Sequence, residues 1–182
     1  MNRALIIVDI QNDYFPGGKI ELVGIEEAAK NAQLALKLFR AKKLPIFHIR
    51  HLSNKDGNFF IPETHGAEIH ESVSPQNGEY LIQKNFPNSF RGTSLKDQLQ
   101  GLDVQEVVIC GAMTHMCIDT TVRAAFDMGL GCVVVSNACA TKNLEYDGII
   151  IEAPQVQATF MAALSSPFAQ IMKVNELESR LV

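Results

Sequence analysis

Short unbroken apolar runs recur along this chain, with helix-spaced segments between them. Ala4-Leu5-Ile6-Ile7-Val8, Val107-Val108-Ile109-Cys110 and Cys132-Val133-Val134-Val135 carry no polar residue to face water. A strand that is apolar on both faces must be covered on both faces, as in the centre of a parallel sheet. Between the runs, Ile25, Ala28, Ala29, Ala32, Ala35, Leu36 and Phe39 mark one face of a helix from about Ile25 to Lys42, and Ile118, Thr121, Val122, Ala125 and Met128 mark another. Pro45 to Ile49, Tyr80 to Lys84 and Glu106 to Cys110 complete the predicted inner strands, with Cys132 to Ser136 after them. Ser94 to Leu99 is a short helix, and Pro154 sits near the start of one that reaches Leu164, where proline is tolerated. Ala169 to Val174 reads as a last edge strand. The alternation predicts a single α/β domain over residues 1–182, with a mainly parallel sheet.

Composition narrows the partners. The 182 residues are 47% hydrophobic and 20% charged, as in a globular chain. Sixteen Lys and Arg against 20 Asp and Glu give a formal charge of −4 without a basic cluster, which argues against nucleic acid or an anionic membrane as partner. Met1-Asn2-Arg3 runs straight into the first strand with no leader pattern, and no apolar run approaches the ~18 residues that span a bilayer. The expected location is cytoplasmic. The four cysteines, Cys110, Cys117, Cys132 and Cys139, lack the spacing of a zinc site. Cys110 and Cys132 lie in apolar runs, where cysteine acts as a small hydrophobe.

Parallel α/β sheets bind ligands at the carboxyl ends of their strands, where the strand order reverses. Three predicted strand ends carry reactive groups: Asp9 after the first, Lys84 closing the third, and Cys117 a short turn beyond Cys110. Cys117 is expected in the first turn of a helix, where the helix N-terminus favours a thiolate and free N–H groups face whatever the sulfur attacks. An acid, an ammonium and a thiol in one crevice suit nucleophilic acyl chemistry. The carboxylate takes the thiol proton and the ammonium holds the carboxylate.

Ile7-Val8-Asp9-Ile10-Gln11-Asn12-Asp13-Tyr14, the Lys84 segment and Gly111-Ala112-Met113-Thr114-His115-Met116-Cys117 resemble the three signature blocks of the isochorismatase-like cysteine hydrolases. Pro62 to His70 and Ser136 to Thr141 are similar to further loop motifs of that family. The resemblance spans nearly the whole chain. It implies a Rossmann-like three-layer α/β/α sandwich and an Asp–Lys–Cys triad at Asp9, Lys84 and Cys117. It also implies a non-proline cis peptide at Ala112–Met113, which turns the Met113 N–H toward the substrate to form an oxyanion hole with the N–H of Cys117.

Family members that cleave the vinyl ether of isochorismate often lack the cysteine, so Cys117 favours a small amide or ureide substrate whose C–N bond breaks through a thioester. Nicotinamidases carry an Asp-x-His…His metal motif after the second strand; here that stretch reads His48-Ile49-Arg50-His51. The expectation is therefore no catalytic metal and no cofactor. His48 reads as a packed strand residue, while His51, His65 and His70 fall in or beside a long polar stretch, residues 50 to 78, of the kind that forms binding loops. Tyr14, Phe15, Phe59, Phe60 and His115 are the expected substrate-binding residues. The resemblance also implies a homo-oligomer, dimer or tetramer, whose subunit contact completes the pocket, with Phe60 acting in trans. A vinyl ether hydrolase and a non-catalytic redox-sensing thiol protein are the alternatives.

Overall fold

In the computed structural model, which describes residues 2–181, six strands form one sheet in the order β3-β2-β1-β4-β5-β8. They are β1 (Arg3–Val8), β2 (Ile46–His51), β3 (Tyr80–Lys84), β4 (Glu106–Ala112), β5 (Gly131–Ala140) and β8 (Gln170–Met172), and every neighbouring pair is parallel. The order steps outward from β1 in one direction and from β4 in the other. The reversal between β1 and β4 opens a crevice at their carboxyl ends. β1 and β4 sit at the centre of the sheet, and their apolar residues are buried throughout, as the unbroken runs require.

Helices cover the sheet. α1 (Ile25–Ala41) buries the predicted apolar face against β5, β1 and α5 (Val174–Arg180), while α3 (Asp119–Asp127) packs with α4 (Ala153–Leu164). α2 (Leu95–Gly101) is anchored by buried Leu95 and Leu99. No helix among the described residues is long and apolar enough to cross a membrane.

Two strands depart from the expectation. β5 runs on to Ala140, because a register shift between Ile109 and Gly111 lets it resume pairing with β4 at Cys139 and Ala140. The edge strand β8 is only three residues long, and its expected C-terminal part instead opens α5. A hairpin, β6 (Leu144–Tyr146) and β7 (Ile149–Ile151), also lies outside the expectation. It turns on Asp147-Gly148, both at positive φ (50° and 74°), as a two-residue hairpin turn requires.

Candidate active site

The sheet brings the three predicted residues together. Asp9 leaves β1 at φ 51°, a left-handed conformation that aspartate tolerates better than most residues, and its N–H donates to Ile49 O on the neighbouring strand. Lys84 is the last residue of β3. Cys117 belongs to a wide helical turn, Thr114–Ile118, that joins β4 to α3. Gly111 lets the strands approach there: at φ 125°, a Cβ would overlap the Val8 carbonyl.

Asp9, Lys84 and Cys117 are all buried, at 0%, 1% and 4% exposure. Lys84 Nζ lies 2.7 Å from Asp9 Oδ2 and 3.2 Å from Cys117 Sγ, so one ammonium bridges the acid and the thiol. Backbone oxygens of Phe86 and Pro87, at 3.1 and 3.3 Å, also accept from it. Burial works against the charge on Lys84, but Asp9 and Cys117 outweigh it and raise its pKa. The ammonium is therefore kept. Asp9 Oδ1 has no hydrogen-bond partner among the described residues and remains open to take a proton.

Cys117 differs from the expectation in its protonation. Burial, and after it the Asp9 carboxylate, push its thiol up to about 12, against the opposing pull of Lys84. The partial charge of a helix terminus does not offset that desolvation, so the resting sulfur is a thiol and needs a base.

His51, the last residue of β2, completes the cluster. Parallel pairing sets it beside Lys84, whose Nζ lies 3.1 Å from its Nδ1. Ligand atoms of Asp9, His51 and Cys117 lie within 4.8 Å of one another, a donor set that a metal ion could use. Yet all three residues contact Lys84 Nζ, and its positive charge opposes a cation there. Sequence reasoning placed His51 only among possible pocket histidines, because the β2–β3 register that brings it to Lys84 is not written in residue spacing.

The expected binding residues divide. Tyr14, Phe59 and Phe60 form one aromatic cluster beside His51, with Tyr14–Phe60 ring centroids 4.7 Å apart and Phe59–Phe60 4.9 Å apart. Burial, then the charges of Cys117 and Asp9, raise the Tyr14 pKa well above its ordinary value, which ties its phenol electrostatically to those two residues. Phe60 cannot act in trans: it is 0% exposed within its own chain. It adopts φ 51°, held by its N–H donating to Asp13 Oδ2 (2.6 Å) and its carbonyl accepting from Ser53 N (3.0 Å). Phe15 stacks on His70 at 3.7 Å and lines a separate cavity of about 310 Å³ with Asn12, Asp13 and His65. His115 is tied to Thr141 (2.6 Å) and rests edge-on to Phe160. His48 is packed, as expected, with Nε2 2.8 Å from Glu79 Oε2. The Ala112–Met113 peptide is cis.

Comparison with known proteins identifies the family. The isochorismatase domain model matches residues 3–176. The uncharacterised isochorismatase family protein YddQ of Bacillus subtilis is 48% identical over 172 residues, covering 94% of this chain and 96% of its own. The crystal structure of an isochorismatase-hydrolase homologue from Oleispira antarctica superposes with a TM-score of 0.96 at 46% identity, covering 98% of this chain and 96% of its own. N-carbamoylsarcosine amidase of an Arthrobacter species is 27% identical over 144 residues, which are 69% of this chain and 54% of that protein. A sheet of this order, helices on it and a match over nearly the full length leave one assignment: the chain belongs to the isochorismatase family of hydrolases.

Proposed function

We propose that this protein hydrolyses a small amide or ureide C–N bond through a covalent thioester on Cys117. The observation that carries the reading is the bridge from Lys84 to both Asp9 and Cys117 inside a buried crevice. A solvated surface lysine would have neither partner.

Asp9 takes the Cys117 proton as Sγ attacks the carbonyl carbon, and the carbonyl π electrons move onto oxygen. The N–H groups of Met113 and Cys117 receive that oxyanion, while Lys84 stays protonated and stabilises the anions formed beside it. The tetrahedral intermediate collapses, the C–N bond breaks, and protonated Asp9 returns its proton to the leaving nitrogen. A water molecule then attacks the thioester carbon and gives one proton to Asp9. The carboxylic acid leaves, and that proton returns to the sulfur. A thiol pushed up to about 12 is consistent with deprotonation coupled to attack, because a free thiolate is scarce at neutral pH.

The relative named an amidase supports a C–N substrate, and the family's hydrolases include such enzymes. An amide panel monitored by ammonia release, with acid quench and intact mass, tests the proposal. Ammonia together with an acyl adduct on Cys117 is the expected result. Turnover of vinyl ethers alone, or only oxygen adducts after peroxide, would replace it by one of the alternatives.

A further inference from the structure

We infer that His51 presents an Nε2–H donor to an acceptor oxygen on the substrate, close to the scissile carbon, and so selects amides that carry a second carbonyl there. The inference rests on the amide hydrolase reading and deepens it by naming a substrate class.

The tautomer follows from the neighbour. An ammonium has hydrogens and no lone pair, so Lys84 Nζ, 3.1 Å from His51 Nδ1, is the donor and Nδ1 the acceptor. A neutral ring that accepts at Nδ1 carries its own hydrogen on Nε2. Burial, and after it the Lys84 charge, keep the ring neutral by lowering its pKa, with Asp9 opposing. Five acceptors, on Asp9, Cys117, His51 and two backbone carbonyls, share the three hydrogens of Lys84, which leaves it no donor for a substrate. No described residue accepts from Nε2 of His51.

Position is fixed as firmly as protonation. Gln11, fully buried, clamps both backbone polar groups of His51: its Oε1 accepts from His51 N at 2.8 Å and its Nε2 donates to His51 O at 2.9 Å. The same Nε2 also donates to Ala67 O (2.9 Å) in the following loop. The His51 ring lies beside the paired Phe59 and Phe60 rings, at 6.4 and 6.0 Å, whose apolar surfaces offer an acceptor nothing to bond. A ring nitrogen of His51 is within 4.8 Å of Sγ. With reacting atoms roughly 3 Å apart and a hydrogen bond of about 2.9 Å, an oxygen bonded to this small ring falls within a few bonds of the carbon under attack. A second carbonyl on the acyl side meets that requirement. A plain alkyl amide leaves the donor unpaired.

Two measurements test this. Long-range proton–nitrogen correlation in histidine-labelled protein at pH 7.5 should place the hydrogen of His51 on Nε2, whether or not any amide is turned over. A hydrogen on Nδ1, or an imidazolium, overturns the inference. Acetoacetamide and butanamide then form a matched pair, differing in a keto oxygen against a methylene. The parent should prefer acetoacetamide by at least ~100-fold in kcat/KM, below the ~10⁴ seen where a site is built around such a bond. His51→Phe should cut that ratio at least tenfold; His51→Asn serves the same purpose if the phenylalanine variant does not fold. A ratio unchanged by the substitution overturns the inference. If the parent turns over neither these amides nor any other in the panel, the hydrolase reading fails, and His51 is judged on its tautomer.

Discussion

The strand ends and the 52–79 segment contribute to the same crevice by different means. Lys84 and His51 close hydrogen-bonded strands, Asp9 directly follows one, and Cys117 sits in the helical turn that leaves β4, so regular backbone bonding sets their positions. Phe59 and Phe60 lie on a segment with no strand of its own apart from an isolated bridge at Ile69. Scattered hydrogen bonds from the neighbouring elements hold that segment, and a buried carboxylate pins its aromatic end. Asp13 accepts from Phe60 N and from Lys19 N, and Gly66 packs so close that a Cβ there would overlap it. In the proposed reaction the sheet-borne part supplies the reacting groups and the pinned part supplies the wall. Damage to each should therefore read out differently.

The largest effect belongs to the nucleophile. Cys117→Ala should abolish hydrolysis, by at least ~1,000-fold in kcat, with the fold intact by circular dichroism. Activity within tenfold of the parent would break the covalent mechanism. Cys117→Ser should fail nearly as badly, because Asp9 deprotonates an alcohol less readily than a thiol.

Lys84→Met comes next, with at least ~100-fold lost in rate, within the range of general acid–base effects. It also leaves the Asp9 carboxylate buried and unpaired, which costs on the order of 3–5 kcal/mol of stability. Its signature is a pH shift. The ammonium pulls the Cys117 pKa down, so its removal pushes the thiol higher still and moves iodoacetamide alkylation of Cys117 to more alkaline pH. A variant with the parent's alkylation profile would separate Lys84 from the sulfur and dissolve the triad.

Asp13→Ala should act on the wall alone. Leaving the Phe60 N–H buried without an acceptor costs about 1–3 kcal/mol, a fall in Tm of roughly 2–10 °C, and should raise KM more than it lowers kcat. A loss confined to kcat would show that the aromatic wall and the chemistry are one unit. The smallest effect is none: dialysis against a strong chelator should leave the rate unchanged, since the Lys84 ammonium contacts Asp9, His51 and Cys117 and opposes a cation there. Loss on chelation with recovery on zinc would break that reading.

The same contrast explains what the sequence disclosed. Apolar runs report burial on both faces, so β1, β4 and most of β5 were legible, and with them the crevice at the order reversal. Asp9 and Lys84 were legible as strand ends. The protonation of Cys117 was not, because desolvation depends on what packs over the sulfur. His51 depends on the register of β2 against β3, and the burial of Phe60 depends on Asp13, far from it in sequence. The β6–β7 hairpin is a different case: Asp147-Gly148 between apolar residues is a strong hairpin signal, and it was there to be read.

A lysine at the focus of a carboxylate, an imidazole and a thiol has a consequence for where such a protein can work. A site that recruits its positive charge from solution inherits competition among divalent ions, in which copper or zinc outbids whatever ion the reaction prefers. A charge covalently attached to β3 takes no part in that competition. It arrives with the polypeptide, in fixed stoichiometry, and keeps its place whether the surroundings are starved of trace metals or flooded with them.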